Sequence, residues 1–71
     1  MNTYVAIAPD GIKWERESSR LYTHALASRT NGRPDWIINS FCGSLPRAEK
    51  RMKQLQKFYG GEWRIIEAIT K

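Results

Sequence analysis

The chain has 71 residues and a mass of 8.3 kDa, which suits one domain over residues 1–71. A domain of that size buries only about 60% of its unfolded surface, so deep pockets and large cofactor-dependent enzyme folds are excluded. Hydrophobic residues make up 41% and aromatics 11%, which excludes a disordered chain, and a net charge of +5 favours acidic partners.

Taken in order, Thr3–Ala8 is β-branched and apolar and reads as a first strand. Ala8-Pro9-Asp10-Gly11 fits a type I turn, with proline presetting φ and glycine accepting the positive φ that follows. Ile12–Glu17 alternates, placing Ile12 and Trp14 on one side and Lys13, Glu15 and Glu17 on the other, as in a hairpin partner wet on one face. Ser18-Ser19-Arg20 breaks that pattern, and Leu21–Ser28 reads as a third strand. Asn31-Gly32 and Pro34-Asp35 are turn chemistry, after which Trp36–Cys42 is a fourth strand that Gly43 ends.

Ser44 is placed to cap a helix, with Pro46 in the first turn where its missing N–H costs nothing. Ala48, Met52, Leu55 and Tyr59 then recur at helical spacing, with Phe58 alongside, so a helix is expected over roughly 45–59 with Gly60-Gly61 as its cap. Glu62–Ile69 closes the chain as a strand. The expected fold is α+β: an antiparallel sheet of four to five strands packed on one amphipathic helix, in ββββαβ or βββαβ order. One helix covers one side of such a sheet, so aromatic surface is expected to stay exposed on the other.

Charge is concentrated. Residues 47–59 carry Arg47, Lys50, Arg51, Lys53 and Lys57 against Glu49 alone, a local +4. Positions 50, 53 and 57 share one helix face, and 47 and 51 lie a turn apart on another. This ridge either binds phosphates or acidic protein surfaces, or keeps a small domain soluble. Trp14 lies between Lys13 and Arg16, Trp36 follows Arg33, and Trp63 precedes Arg64, a pairing of stacking platforms and cations that suits single-stranded nucleic acid. The same aromatics also serve as core.

Catalytic chemistry has little to build on. His24 is the single histidine and Cys42 the single cysteine, on different expected strands, and no third group orients them. Cys42 reads as a small buried hydrophobe. One cysteine forms no intrachain disulfide and leaves a thiolate metal site short of ligands, so no metal is expected. Glu15 and Glu17 sit among Lys13, Arg16 and Arg20 as cross-strand charge partners. Met1–Ala8 lacks the basic start of a signal peptide, and no apolar run approaches the ~20 residues of a membrane span. The expectation is a cytoplasmic chain.

Tyr4-Val-Ala-Ile-Ala-Pro-Asp-Gly11, Ser18, Tyr22-Thr-His-Ala25 and the helix followed by Gly60-Gly-Glu-Trp63 resemble small proteins encoded by phages and prophages. The resemblance implies a compact accessory protein in a bacterial cytoplasm that binds a host machine, as anti-CRISPR and other anti-defence inhibitors do. It assigns no residue a role. The reading is a non-enzymatic binding module that engages a host protein or nucleoprotein complex through Arg47, Lys50, Arg51, Lys53 and Lys57, with Trp14, Trp36 and Arg33 beside them. Direct, largely sequence-independent nucleic-acid binding is the alternative. A homodimer through edge strands or open faces is also expected.

Overall fold

A computed structural model describes all of residues 1–71. Its elements follow the longer of the two expected orders: β1 (Asn2–Ile7), β2 (Lys13–Ser18), β3 (His24–Arg29), β4 (Ile37–Cys42), α1 (Leu45–Gln56) and β5 (Glu62–Thr70). The strands form one antiparallel sheet in the order β2-β1-β5-β3-β4. The long last strand is the hinge of this arrangement. Its first half, Glu62–Glu67, pairs with β3, and its last residues, Ala68–Thr70, pair with β1. No helix is long and apolar enough to cross a membrane.

The first turn forms as its residues dictate. Gly11 adopts φ 88°, its N–H donates to the Ala8 carbonyl at 2.8 Å, and Asp10 Oδ1 accepts from Ile12 N–H at 3.1 Å. The other Asp10 oxygen accepts from Trp36 N–H at 3.4 Å, tying this turn to the loop before β4.

The helix starts at its expected residue, with Ser44 Oγ accepting from Arg47 N–H at 3.3 Å. Ala48 is buried, and Met52 and Leu55 are half-buried; all three pack on Leu26, Cys42 and Ile65. The far end differs from expectation. The helix stops at Gln56 with Lys57 as its cap, and Phe58 and Tyr59 run on into solvent at 81% and 61% exposed. The helical stripe ends at Leu55, and Tyr59 instead borders Ser28, Ile37 and Trp63 across a shallow pocket. Gly60-Gly61 is not the cap. Gly61, at φ 98°, instead sits where a Cβ would stand 2.2 Å from the Arg29 carbonyl oxygen as β5 joins β3.

The opposite sheet face is not left open. Alternation along the registered strands puts Ala6, Ala25, Ala27 and Ala68 on it, and the first three are fully buried. Small side chains let the sheet curl and let large rings lie on them. Tyr4 meets Tyr22 edge-on at 5.1 Å, Tyr22 meets Phe41 at 5.7 Å, and Tyr4 Oη donates to the Arg20 carbonyl at 2.7 Å. Trp36, Ala8 and Ala27 form the other end of this layer with Ile38 and Ile66. Ile38 reaches that face because the β3–β4 register shifts between Leu26 and Ala27, leaving Asn39 as an extra residue. β2, read as wet on one face, is exposed on both along all but Ser18, since it is an edge strand and α1 packs on β3, β4 and β5.

Leu26 is the fully buried side chain between α1 and the sheet, so Leu26→Ala is expected to cost ~2–5 kcal/mol in urea unfolding. Met52→Ala should cost less, because Met52 keeps part of its surface in water; equal losses would place the core elsewhere. Gly61→Ala is expected to lower stability by more than ~1 kcal/mol, through both its positive φ and the Arg29 carbonyl. An unchanged melting midpoint would contradict that close approach.

Candidate anion-binding cleft

Arg16 begins the site. The β1–β2 register pairs it with Tyr4, which puts its side chain on the alanine-floored face. There the guanidinium lies 5.6 Å from the Tyr22 ring centre and 6.0 Å from that of Phe41. β2 and β4 stand at opposite ends of the strand order, so this contact measures how far the sheet curls. Between the two ends opens a cleft of about 930 Å³, lined by Arg16, Arg20, Tyr22, Phe41, Arg47 and Arg51 together with the exposed edge of β4.

Three separate segments deliver these cations. Arg16 comes from β2. Arg20 comes from the following loop, which is pinned by Tyr4 Oη on its carbonyl and by its own N–H donating to Ser18 Oγ at 3.1 Å. Arg47 and Arg51 come from the first two turns of α1, one turn apart on the flank facing β4. No Asp or Glu lines the cleft, and none of the four arginines makes an ion pair. The molecule's two ion pairs, Arg29–Glu62 and Lys71–Glu15, lie elsewhere. Four unneutralised guanidinium groups therefore surround two half-buried rings.

Of the residues singled out from the sequence, Arg47 and Arg51 enter this cleft. Lys50, Lys53 and Lys57 do not line it and are exposed on α1. Arg33 is exposed on the loop before β4. Trp36 is a correction: it is only 6% exposed, held between Arg29 at 5.1 Å and Arg64 at 5.2 Å, and is core rather than a stacking platform for a partner. Trp14 is 36% exposed on β2, outside the cleft. Sequence reading missed Arg16, Arg20, Tyr22 and Phe41 as a group, because only the curl of the sheet brings them to Arg47 and Arg51. Alternation along β2 does signal that Arg16 shares the Trp14 face.

The strands also bring His24 and Cys42 together, which their separation in sequence hid. They are cross-strand partners, and Glu67 stands opposite His24 on the other side. The row does not make an activated thiol. Cys42 is buried, and that burial raises its thiol pKa, against a smaller lowering by the Arg51 charge. His24 Nδ1 is engaged with Thr23 Oγ1 at 2.8 Å, and no hydrogen bond links either ring nitrogen to the sulfur.

No protein-family model matches the chain, and no curated protein or solved structure is significantly similar to it.

The raised thiol pKa has a readable consequence. A group whose folded pKa lies above its unfolded value contributes stability that is full below the unfolded pKa and fades as pH rises through the folded one. Melting of the protein should therefore fall above the ordinary thiol range, and Cys42→Ala should flatten that alkaline decline. Iodoacetamide should also modify folded Cys42 more slowly than the urea-unfolded chain; equal rates would mean that the thiol is open to water.

Proposed function

We propose that this chain is a non-enzymatic binding module that takes the sugar-phosphate backbone of a single-stranded nucleic acid in its arginine cleft. The observation that supports this is the convergence of Arg16, Arg20, Arg47 and Arg51 with no acidic side chain among them. Guanidinium groups match phosphate oxygens in geometry and stay charged at any working pH. Tyr22 and Phe41 at the cleft offer faces on which bases stack irrespective of sequence. The cleft is open rather than enclosed, and Asn39 and Ser40 add neutral donors and acceptors beside the arginines, so it suits a chain laid across it more than an enclosed small molecule. Lys50, Lys53 and Lys57 add long-range attraction from the neighbouring helix face.

The phage-type reading fits within this one. A small inhibitor of a host nucleoprotein complex would use the cleft on the complex's exposed nucleic-acid strand, with the apolar side chains of Leu21 and Phe58 available to a protein component. Leu21 is 75% exposed at the cleft rim, and Phe58 is 81% exposed beyond α1.

Salt dependence tests the proposal. Each phosphate neutralised on a single strand contributes about −0.7 to the slope of log K against log salt, so four contacts predict roughly −2.8. Fluorescence anisotropy with a labelled single-stranded oligonucleotide should give that slope. The double substitution Arg20→Ala/Arg51→Ala should reduce the slope by about 1.4 while leaving circular dichroism unchanged, since both side chains are exposed. Lys50→Glu/Lys53→Glu/Lys57→Glu should weaken binding through repulsion but retain more of the slope than the arginine pair. Binding that ignores salt, or that survives loss of Arg20 and Arg51 unchanged, would sink the proposal.

A further inference from the structure

The two edges of the sheet are not alike. β4 carries the register shift at Asn39, an irregularity that makes an edge hard to extend. β2 runs without interruption through six registered partners on β1, from Lys13 opposite Ile7 to Ser18 opposite Asn2, and its outer edge has no partner strand. Lys13 through Glu17 are all exposed. Apolar side chains collect beside this edge: Ile7 and Ile12 are each 54% exposed and Trp14 36%. A long, regular edge bordered by exposed apolar groups is a template for another strand.

The order of charges on β2 says what that strand is. Two copies of β2 placed antiparallel about a two-fold axis must bring together residues from the same face, so directly opposed positions share parity. Centring the axis on Glu15 gives the longest overlap with complementary pairs. Lys13 then faces Glu17 of the second copy, twice by symmetry, on one side of the sheet. On the other side Trp14 stands opposite Arg16 of the second copy, again twice, with each guanidinium kept over Tyr22 and Phe41 of its own chain. Glu15 meets its own copy at the axis, but each Glu15 already carries a counter-charge, Lys71 Nζ at 3.3 Å from its Oε1. Moving the axis to Arg16 opposes Arg16 to itself and Glu15 to Glu17. Moving it to Trp14 leaves only Lys13–Glu15 within the strands.

We infer that β2 is a self-pairing edge, and that this protein forms a two-fold homodimer with a continuous ten-stranded sheet in which Lys13 opposes Glu17 and Trp14 opposes Arg16. The occupant is a second copy of the chain, because reversal of Lys-Trp-Glu-Arg-Glu about Glu15 brings the otherwise unpaired Lys13 and Glu17 opposite each other twice. Arg16 lies both on this strand and in the cleft, so the test uses Lys13 and Glu17 on the other side of β2 and is read without nucleic acid.

Lys13 and Glu17 make no ion pair within one chain, so reversing either removes nothing from the folded protomer. Sedimentation equilibrium from micromolar to near-millimolar concentration should show the wild-type chain passing from 8.3 kDa to twice that mass. Lys13→Glu puts two like-charged pairs across the axis and should weaken dimerisation about tenfold, as should Glu17→Lys. The combined swap Lys13→Glu/Glu17→Lys restores opposite charges in this register alone, and should return the affinity to near the wild-type value. Far-UV circular dichroism confirms that each variant is folded. A wild-type chain that stays at 8.3 kDa throughout overturns the inference. So does a Lys13→Glu protein that dimerises normally, or a combined swap no better than the single changes.

Discussion

Every feature of this protein depends on how little side-chain volume stands on one face of its sheet. Ala6, Ala25 and Ala27 are fully buried there, and their methyl groups leave room above the backbone for whole aromatic rings. Burying one such ring contributes on the order of 1.5–3 kcal/mol, with edge-on contacts adding about 0.5–1.5 kcal/mol. Larger residues at these positions would hold the rings off the sheet and flatten it. With alanines beneath them, Tyr4, Tyr22 and Phe41 meet edge-on or tilted over this face, and the Arg16 side chain of β2 reaches the Phe41 ring of β4. β3 is consequently buried on both faces, by rings on one and by α1 on the other, which is why four successive residues from Ala25 to Ser28 are buried.

The curl makes the site. Arg16 can lie over Phe41 only because the two ends of the strand order approach each other, and the gap that remains between them is the cleft. Gathering four like charges there carries an electrostatic penalty, but a modest one. Exposed charges farther apart than the ~8 Å Debye length of physiological salt barely repel. The arrangement therefore costs the folded chain little and leaves an unneutralised positive surface beside the Tyr22 and Phe41 rings. The helix divides its labour accordingly. Ala48, Met52 and Leu55 face the sheet, Arg47 and Arg51 flank the cleft, and Lys50, Lys53 and Lys57 are left in water.

Local chemistry in the sequence determined the elements and their order. The Pro9-Asp10-Gly11 turn, the Ser44 cap and the Ala48–Met52–Leu55 stripe each act over eight residues or fewer, where propensity and spacing suffice. The basic ridge of the helix was legible as a group of five cations, but which two of them, Arg47 and Arg51, enter the cleft was not. Tertiary structure decided the rest. A stripe that runs to Tyr59 in sequence leaves the helix after Leu55 in space, because α1 ends at Gln56 and the chain turns before Tyr59 meets the sheet edge at Ile37 and Trp63. Trp36 reads as a surface platform beside Arg33, yet two cations from β3 and β5 close over it. His24 and Cys42, eighteen positions apart, become neighbours through strand pairing that no local pattern specifies. Arg16 and Arg20 join Arg47 and Arg51 for the same reason. Strand order and sheet curl are set by the summed packing of side chains distant in the chain, and the cleft exists only at that level.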